Sequence, residues 1–369
     1  MNIPPNNPFR NNIDCINDPR KHNIRHQLHD MLLITLCAVI SGAEAWTHVA
    51  EYGRSKEEWF RQFLQLPNGI PSHDTFGRLF AMLNPKDFQE FFTRWVRDLS
   101  ASLKGKTISI DGKTLRRSHD KANGKSAIHM VSAWVADIGL VLGQLKTDDK
   151  SNEITAIPEL IKMLVLEGTI VTIDAMGCQK KITHTIVENH GDYVIQVKDN
   201  QKTLLQDIAL FFKDPANGPF DFVETIDSEH GRIETRQYFT SSNIDWLQGK
   251  HLWANLNSIA MVTRQRDVND SVSIESSYFI SSLKGGASEI AKSIRSHWRI
   301  ENSLHWCLDM SFHEDHCRVR KDHAPENFGI LRHMAMNLLK QEKSFRGGIQ
   351  AKRLKASWDY NYLLKLLAG

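Results

Sequence analysis

The sequence predicts an α/β protein with a mixed central sheet, a helical segment before it, and a β-rich segment and further helices after it. Apolar residues recur at helical spacing from about residue 23 to residue 104. Short β-branched runs then alternate with helical stretches up to about residue 212. A second group of strand-like runs extends to about residue 285, where helical spacing returns. This order of elements predicts a sheet-centred core flanked by helices.

The composition is that of an ordinary soluble protein, with 41% hydrophobic and 24% charged residues. Its 369 residues suffice for two or three domains. The net charge of +3 is only mildly basic, so it permits nucleic-acid binding without requiring it. The five cysteines form no CxxC pair, which indicates reduced thiols in a cytosolic protein. The most apolar run, Met31–Ile40, is too short to span a bilayer, and no export signal precedes it; we expect no membrane and a cytoplasmic location.

The first segment, residues 1–22, carries four prolines and is predicted to be a flexible arm. Residues 23–104 are predicted to form a helical N-terminal domain. Its predicted helices are Leu28–Ile40, Trp46–Tyr52, Lys56–Leu66, Phe76–Leu83 (capped by Ser72 or Asp74) and Asp87–Leu103. Two roles stay open for this domain: binding DNA ends, or packing and dimerisation.

Residues 105–212 are predicted to form the first part of the core. The predicted strands are Thr107–Asp111, Ala127–Val135, Gly139–Leu145, Thr169–Asp174 and Asp192–Val197, and the predicted helices are Asn152–Leu166, Cys178–Asn189 and Gln201–Phe212. The order βββαβαβα is typical of an RNase H-like core. In that topology the first and fourth strands lie side by side.

Residues 213–285 are predicted to be a β-rich insertion, and residues 286–369 to complete the core with helices. The predicted strands are Phe222–Ile226, Ile233–Thr240, Ile259–Arg266 and Val272–Ile280, and the predicted helices are Ser288–Trp306, Asn327–Lys340 and Ser357–Leu367.

Two acids follow apolar β-branched runs in a similar pattern. Asp111 ends the run TISID and Asp174 ends TIVTID, each with a glycine close behind. One aspartate at a strand end is usually a turn residue. Two of them, on strands predicted to be neighbours, favour chelation of a hard cation such as Mg²⁺, which prefers oxygen ligands.

A third carboxylate is needed to complete a two-metal site that clamps a phosphodiester. Glu301 is the candidate, because it follows both aspartates on the helix after the insertion. Helical spacing places His297, Glu301 and His305 on one face. Asp309, Glu314 and Asp315 are competing acids nearby. The local histidines and cysteines (His305, Cys307, His313, His316 and Cys317) also raise zinc binding, but they match no standard zinc spacing.

Basic residues accompany the candidate acids. Charge runs of this kind are usually solvated surfaces, but their recurrence beside the acids indicates contacts to a phosphate backbone. The candidate DNA-binding residues are Lys113, Arg116, Arg117, Lys198, Arg232, Arg236, His297 and Arg299.

Several blocks of the sequence resemble those of a bacterial insertion-sequence transposase of the DDE type, in the branch of the H-repeat-associated proteins of Rhs elements. The blocks are IDGKTLRRS, VSAWVAD, KSNEITAIPEL, VTIDAMGCQ, DYVIQVKDNQ, HGRIETRQ and HWRIENSLHWCLDMSFHED. They stand in order and cover nearly the whole chain.

The resemblance implies an RNase H-like fold and a catalytic, metal-binding triad of Asp111, Asp174 and Glu301. It implies two Mg²⁺ (or Mn²⁺) ions as cofactors. It also implies cleavage of double-stranded DNA at the element's terminal inverted repeats and transfer of the freed 3′-OH into target DNA. The expected setting is the bacterial cytoplasm, on the nucleoid when bound to DNA, with a homodimer or larger multimer in the synaptic complex.

One departure from the family pattern concerns the third acid. Relatives carry the motif Y-x2-R-x3-E-x6-K, whereas the places around Glu301 hold Ile294, His297 and Leu308. Two other functions stay open: an RNase H-like nuclease that never joins strands, and an inactive DNA-binding remnant of a transposase.

Overall fold

The computed structural model describes residues 8–22, 24–99, 102–120, 124–147, 153–229, 232–268 and 271–368. The chain forms two compact units. The helical unit comprises Met1–Ser102, Gly112–Lys150 and Glu301–Gly369, and the sheet unit comprises Leu103–Asp111 and Ser151–Ile300.

Most predicted helices are present, with bounds that shift by a few residues, whereas the helices over Pro8–Asn11, Trp306–Phe312 and Ile349–Trp358 were not predicted. All helices of the described residues follow in chain order. They are α1 (Pro8–Asn11), α2 (Leu28–Ile40), α3 (Trp46–Ser55), α4 (Glu57–Phe60), α5 (His73–Met82), α6 (Pro85–Leu99), α7 (Glu153–Lys162), α8 (Lys180–Glu188), α9 (Lys202–Lys213), α10 (Ala287–Ile300), α11 (Trp306–Phe312), α12 (Ala324–Gln341), α13 (Ile349–Trp358) and α14 (Tyr360–Ala368). The helix predicted over Lys56–Leu66 is wrong beyond Phe60, where the chain continues in turns, and Leu66 takes a positive φ of 41°. Ser72 caps α5 as predicted, since its side chain accepts from the Thr75 amide.

All nine predicted strands are present. They are β1 (Thr107–Thr114), β2 (His129–Val135), β3 (Leu140–Lys146), β4 (Ile170–Ile173), β5 (Asp192–Val197), β6 (Asp221–Glu229), β7 (Arg232–Ser241), β8 (Ser258–Val268) and β9 (Ser271–Ser281). Strands β2 and β3 form an antiparallel hairpin in the helical unit. The prediction of a mixed α/β protein is confirmed.

The sheet unit is ordered β1-β4-β5-β9-β8-β7-β6. Strands β1, β4 and β5 run parallel, which confirms that the first and fourth strands lie side by side. Strand β9 pairs antiparallel with β5. Strands β8, β7 and β6 follow it in that order, each antiparallel to its neighbour. The four late strands therefore extend the sheet of this unit.

Helix α10 covers one face of this sheet. Ile290 and Ile294 on the helix pack in one cluster with buried side chains of β4, β5, β7, β8 and β9, namely Ile170, Val194, Tyr238, Ala260, Val262 and Phe279. Period-2 alternation in the strands supplies these inward residues. A salt bridge of 2.8 Å from Arg295 to Asp227 fastens the helix to β6.

Helix α12 forms the centre of the helical unit. The Asn327 amide donates to the carbonyls of Phe80 and Leu83, both at 2.9 Å, at the end of α5. The Asn337 amide pairs with both backbone groups of Val141 in β3. Arg353 in α13 donates to the carbonyls at the end of α2. Because the N-terminal and C-terminal helices share these contacts, they lie together in one compact unit.

The N-terminal segment also differs from its prediction within the described residues. Pro8–Asn11 form a helical turn, and Phe9 is buried with its ring edge against Phe91 of α6, 5.2 Å between centroids. Burying an aromatic ring stabilises the segment, so residues 8–16 are held against α6. Residues 1–7 lie outside the described part of the chain. Among the described helices, none combines the length and the apolar character needed to cross a membrane.

Helix α12 also buries a histidine. His333 is almost fully enclosed, and burial lowers its pKa to about 4 because a charged imidazole is poorly solvated there. The unfolded chain takes up a proton at an ordinary pKa of about 6.5. Between these two values the unfolded state binds more protons than the folded state, so folding is weakened as the pH falls.

We therefore expect the free energy of unfolding to decrease from pH 7 to pH 4, with about 3 kcal/mol of the decrease due to His333. His333→Gln removes this part of the slope, whereas His316→Gln, at an exposed position, leaves it intact. Urea unfolding at a series of pH values measures the slopes. Equal slopes for wild type and His333→Gln contradict the prediction.

Candidate active site

Asp111 and Asp174 occupy matching places on neighbouring strands of the sheet unit. Ile110 of β1 pairs with Ile173 of β4 in a parallel register, and each aspartate is the next residue. Both carboxylates are partly buried. The backbone thus places the two acids side by side. One detail differs from the prediction: β1 continues to Thr114, so Asp111 lies inside its strand.

Asp174 begins a short turn. Its Oδ1 accepts hydrogen bonds from the amides of Met176 (3.0 Å) and Gly177 (3.4 Å), capping the 3₁₀ turn Ala175–Gly177. Burial raises the pKa of Asp174, and the negative charge of Glu153 adds to this, while the two amides and Lys198 act in the opposite direction. Burial and the nearby negative charge disfavour the ionised form of this carboxyl group, and a bound cation would stabilise that form.

Gly177 is required by close packing beneath this turn. A Cβ built on Gly177 would stand 2.2 Å from Cγ2 of Ile173, the last residue of β4. Because Ile173 is buried, it has little room to move. The glycine noted after Asp174 in the sequence therefore serves the contact between the turn and its own strand.

Two residues that the sequence analysis missed fasten the same turn. The Asn200 amide donates to the carbonyl of Ala175 at 2.7 Å, and the Gln201 amide donates to that of Cys178 at 2.9 Å. Both follow β5, after Lys198 and Asp199. Both residues are visible in the string VKDNQ. Asn and Gln side chains are common in loops, however, and the sequence does not show which carbonyls they bond to.

Glu301 opens a π-helical turn, Glu301–His305, between α10 and α11. Its side chain is exposed. The prediction of one regular helix over Ser288–Trp306 is wrong at this turn, and so is the i, i+4 placement of His305 that rests on it. Single π-turns inside helices are frequent at functional sites, where the extra residue changes the direction of the side chains.

Lys113 lies among acidic side chains. Its ammonium bonds to Asp309 and, at 2.8 Å, to Glu314, with Asp315 at 3.7 Å. The side chain is 12% exposed and that of Glu314 is 3% exposed. Arg332, also buried, lies 3.5 Å from Glu314. The predicted DNA contact of Lys113 stays a prediction, and a phosphate would have to compete with these carboxylates for its charge.

This network also bears on the competing acids. Burial raises the pKa of Glu314, but the charges of Lys113 and Arg332 outweigh it and lower the pKa to about 2. Glu314 is thus a fixed anion whose partners are cations of the same unit. Asp309 bonds to Lys113, and Asp315 lies 3.1 Å from Arg116. All three competitors are engaged in structural ion pairs.

The other predicted basic residues fall into two groups. Arg116, Arg117, Lys198 and Arg299 are exposed. Arg236 is mostly buried and bonds to Asp227 and Glu234, and its predicted DNA contact stays a prediction.

Two predicted residues have other surroundings. His297 is half-buried, with Nδ1 3.2 Å from the Thr172 hydroxyl. The backbone of Arg232 pairs with Glu229, and its side chain lies outside the description.

The donor set beside β1 and β4 fits a hard divalent cation. Mg²⁺ is commonly bound through one or two carboxylates, with water or phosphate oxygens completing its shell. Asp111 and Asp174 supply two such carboxylates. Within the part of the chain that the structure describes, no group of three or more His, Cys, Asp or Glu residues is arranged to hold a metal ion by itself.

Comparison with known proteins assigns the chain to a family. The family model described as "Transposase DDE domain" matches residues 102–338, and the model described as "DDE_Tnp_1-associated" matches residues 11–96. The first match covers more than half of the chain. The chain belongs to the DDE transposase family, which confirms the resemblance drawn from its sequence blocks.

Relatives named as transposases are similar over almost the full length. "H repeat-associated putative transposase YhhI" of Escherichia coli strain K12 is 41% identical over 353 residues, which cover 94% of this chain and 93% of that protein. "Putative transposase YncI" of Escherichia coli O157:H7 is 39% identical, covering 97% of this chain and 93% of that protein. A shorter match, "Inactive transposase YbfQ" of strain K12, is 46% identical over 15% of this chain and 64% of that protein.

Lys113→Met should destabilise the helical unit by about 3–5 kcal/mol, because it removes the closest cation from a buried carboxylate. Arg116→Met is the matched control: its side chain is 79% exposed, and exposed ion pairs contribute about 0–1 kcal/mol. Denaturant unfolding compares the two variants. In the double variant Lys113→Met/Glu314→Gln, part of the stability should return. Full stability of Lys113→Met combined with weakened DNA binding would instead support its predicted role as a phosphate contact.

Gly177→Ala should cost about 1–3 kcal/mol of unfolding free energy, because the added methyl overlaps Ile173. Gly348→Ala is the control, since a Cβ there meets nothing within 4 Å and φ is −65°. The urea concentration at the midpoint of unfolding is measured for both variants and for wild type. The contact would be unimportant if the two alanine variants unfolded at the same midpoint.

Proposed function

We propose that this protein is a DNA transposase that cleaves at the terminal inverted repeats of an insertion sequence and transfers the 3′-OH end into target DNA. Membership of the DDE transposase family supports this reaction class. The observation that carries the proposal is the parallel pairing of Ile110 with Ile173, which sets Asp111 and Asp174 side by side. On this proposal the core is RNase H-like, with the two aspartates on its first and fourth strands.

The proposed catalytic and metal-binding residues are Asp111, Asp174 and Glu301. Two Mg²⁺ (or Mn²⁺) ions, when bound, would activate the attacking oxygen and stabilise the leaving one. Asp111 and Asp174 would bind metal through their carboxylate oxygens. Asp111 lies within β1, and Asp174 begins the turn that directly follows β4. Glu301 is the third ligand in this proposal because its π-turn presents an exposed carboxylate, whereas its competitors are held by Lys113 and Arg116.

The proposed partner is double-stranded DNA, both the element ends and the target. Exposed Arg116, Arg117, Lys198 and Arg299 are the proposed phosphate contacts. Arg116 also pairs with Asp315, so it would have to exchange that partner for phosphate. A homodimer or larger synaptic complex is part of the proposal, because joining two element ends to one target requires at least two active sites. DNA-end binding by the N-terminal helices is proposed from their position alone.

The deciding experiment is cleavage of a labelled duplex that carries the element's repeat ends, with Mg²⁺, with Mn²⁺ and with EDTA. Wild type should nick at the repeat boundary only with metal, and Asp174→Asn should abolish nicking because the amide is a poor metal ligand. Asp214→Asn is the matched control. Asp214 also caps a 3₁₀ turn through Oδ1, in the same unit, and its variant should cut normally.

The other outcomes separate the competing functions. Nicking without joining of a pre-cut 3′ end to a target would identify a nuclease. Repeat binding that survives EDTA, without cutting in either metal, would identify an inactive DNA-binding remnant. Wild-type cleavage by Asp174→Asn would contradict the proposed triad.

A further inference from the structure

Two neighbouring amide side chains connect the loop after β5 to the turn after β4. Asn200 Nδ2 donates to the carbonyl of Ala175 at 2.7 Å, and Gln201 Nε2 donates to the carbonyl of Cys178 at 2.9 Å. The ladder between the two strands extends to the pair Ile173–Ile195. Side chains therefore continue the connection beyond the last backbone pair.

The two carbonyls stand on either side of the amides that hold Asp174. Met176 and Gly177 donate to its Oδ1, and they lie between Ala175 and Cys178 in the chain. The two side-chain bonds therefore fix both ends of the four-residue turn. From the other side, Gly177 packs against Ile173. A turn held in this way has few alternative conformations, so the direction of the Asp174 carboxylate is fixed with it.

A packing role does not account for this pair of amides. Asn200 is exposed and Gln201 is only half-buried, so neither fills the core. Their bonds end on backbone carbonyls of one short turn. Because a carboxamide is neutral, it restrains the turn without adding a positively charged side chain beside the metal site.

We propose that Asn200 and Gln201 are positioning residues that hold the Asp174 turn in the conformation that binds a divalent cation. This inference rests on the proposed function, in which Asp174 is a metal ligand. Partners of this kind, which orient a ligand and do not touch the metal, typically change metal affinity or activity by about 10–100-fold when they are removed.

The test uses the full-length chain with Asn200→Ala, Gln201→Ala and the double variant. Asn217→Ala is the control, because Asn217 makes the same type of bond, to the carbonyl of Phe211 at 2.9 Å, elsewhere in the unit. Mn²⁺ binding followed by electron paramagnetic resonance should weaken by about 10–100-fold in the double variant and stay unchanged in the control. In the metal-free protein, hydrogen exchange of the Met176 and Gly177 amides should be faster in the double variant only.

Cleavage provides a third measurement. The Mn²⁺ concentration at half-maximal rate should rise in the double variant, and excess metal should restore most of the rate. Wild-type metal affinity and wild-type exchange in the double variant would overturn the proposal. So would a lower melting temperature with unchanged Mn²⁺ affinity of the folded protein, which would indicate a purely structural role.

Failure of Asp174 as the proposed metal ligand gives a different result. In that case wild type and Asp174→Asn would bind Mn²⁺ equally, because Asp174 would not be a ligand. Such a result overturns both proposals, whatever the hydrogen exchange shows. A wild-type site that depends on Asp174 but is insensitive to Asn200 and Gln201 overturns only the second.

Discussion

The parallel pairing of β1 with β4 is the constraint on which the candidate site depends. Both strands are buried along their paired residues, so their register is fixed by packing on two faces. A slip of one residue would turn every side chain to the opposite face and separate the two aspartates. Asp111 and Asp174 are distant in sequence, and the hydrogen-bond ladder is what makes them neighbours. The sheet therefore brings the two acids together, and the turn that follows β4 orients the carboxylate of Asp174.

Two basic residues that are close in the sequence, Lys113 and Arg116, have different surroundings in the folded chain. Lys113 and Glu314 are buried together in the helical unit, where an unpaired member would carry a large desolvation penalty. Such a pair specifies how the elements that carry it are arranged. Arg116, only three residues further on, is largely exposed and remains accessible to a phosphate. Neighbouring basic residues of one sequence motif thus differ in burial.

Much of the fold could be predicted because its elements are locally encoded. Asp192–Val197 forms a strand with the predicted bounds, and Leu28–Ile40 forms a helix with the predicted bounds, since each run has a clear apolar pattern. The pairing of the first and fourth strands followed from the order of elements. The division into units could not be predicted in this way. It depends on contacts such as those of Asn327 with the end of α5, which join segments far apart in sequence.

The sequence by itself determined the class of protein, the strands that carry Asp111 and Asp174, and the type of ligand that their carboxylates suit. The class follows from the resemblance of the sequence blocks to those of DDE transposases. The strands and the type of ligand follow from local periodicity and from the chemistry of the side chains, which do not change on folding. Only the tertiary structure decided that Lys113 is enclosed by acids, that a π-turn begins at Glu301, and that Asn200 and Gln201 hold the Asp174 turn. The contacts of Lys113, Asn200 and Gln201 depend on which groups from other parts of the chain come within hydrogen-bonding distance. The pattern of residues along the sequence does not contain these distances.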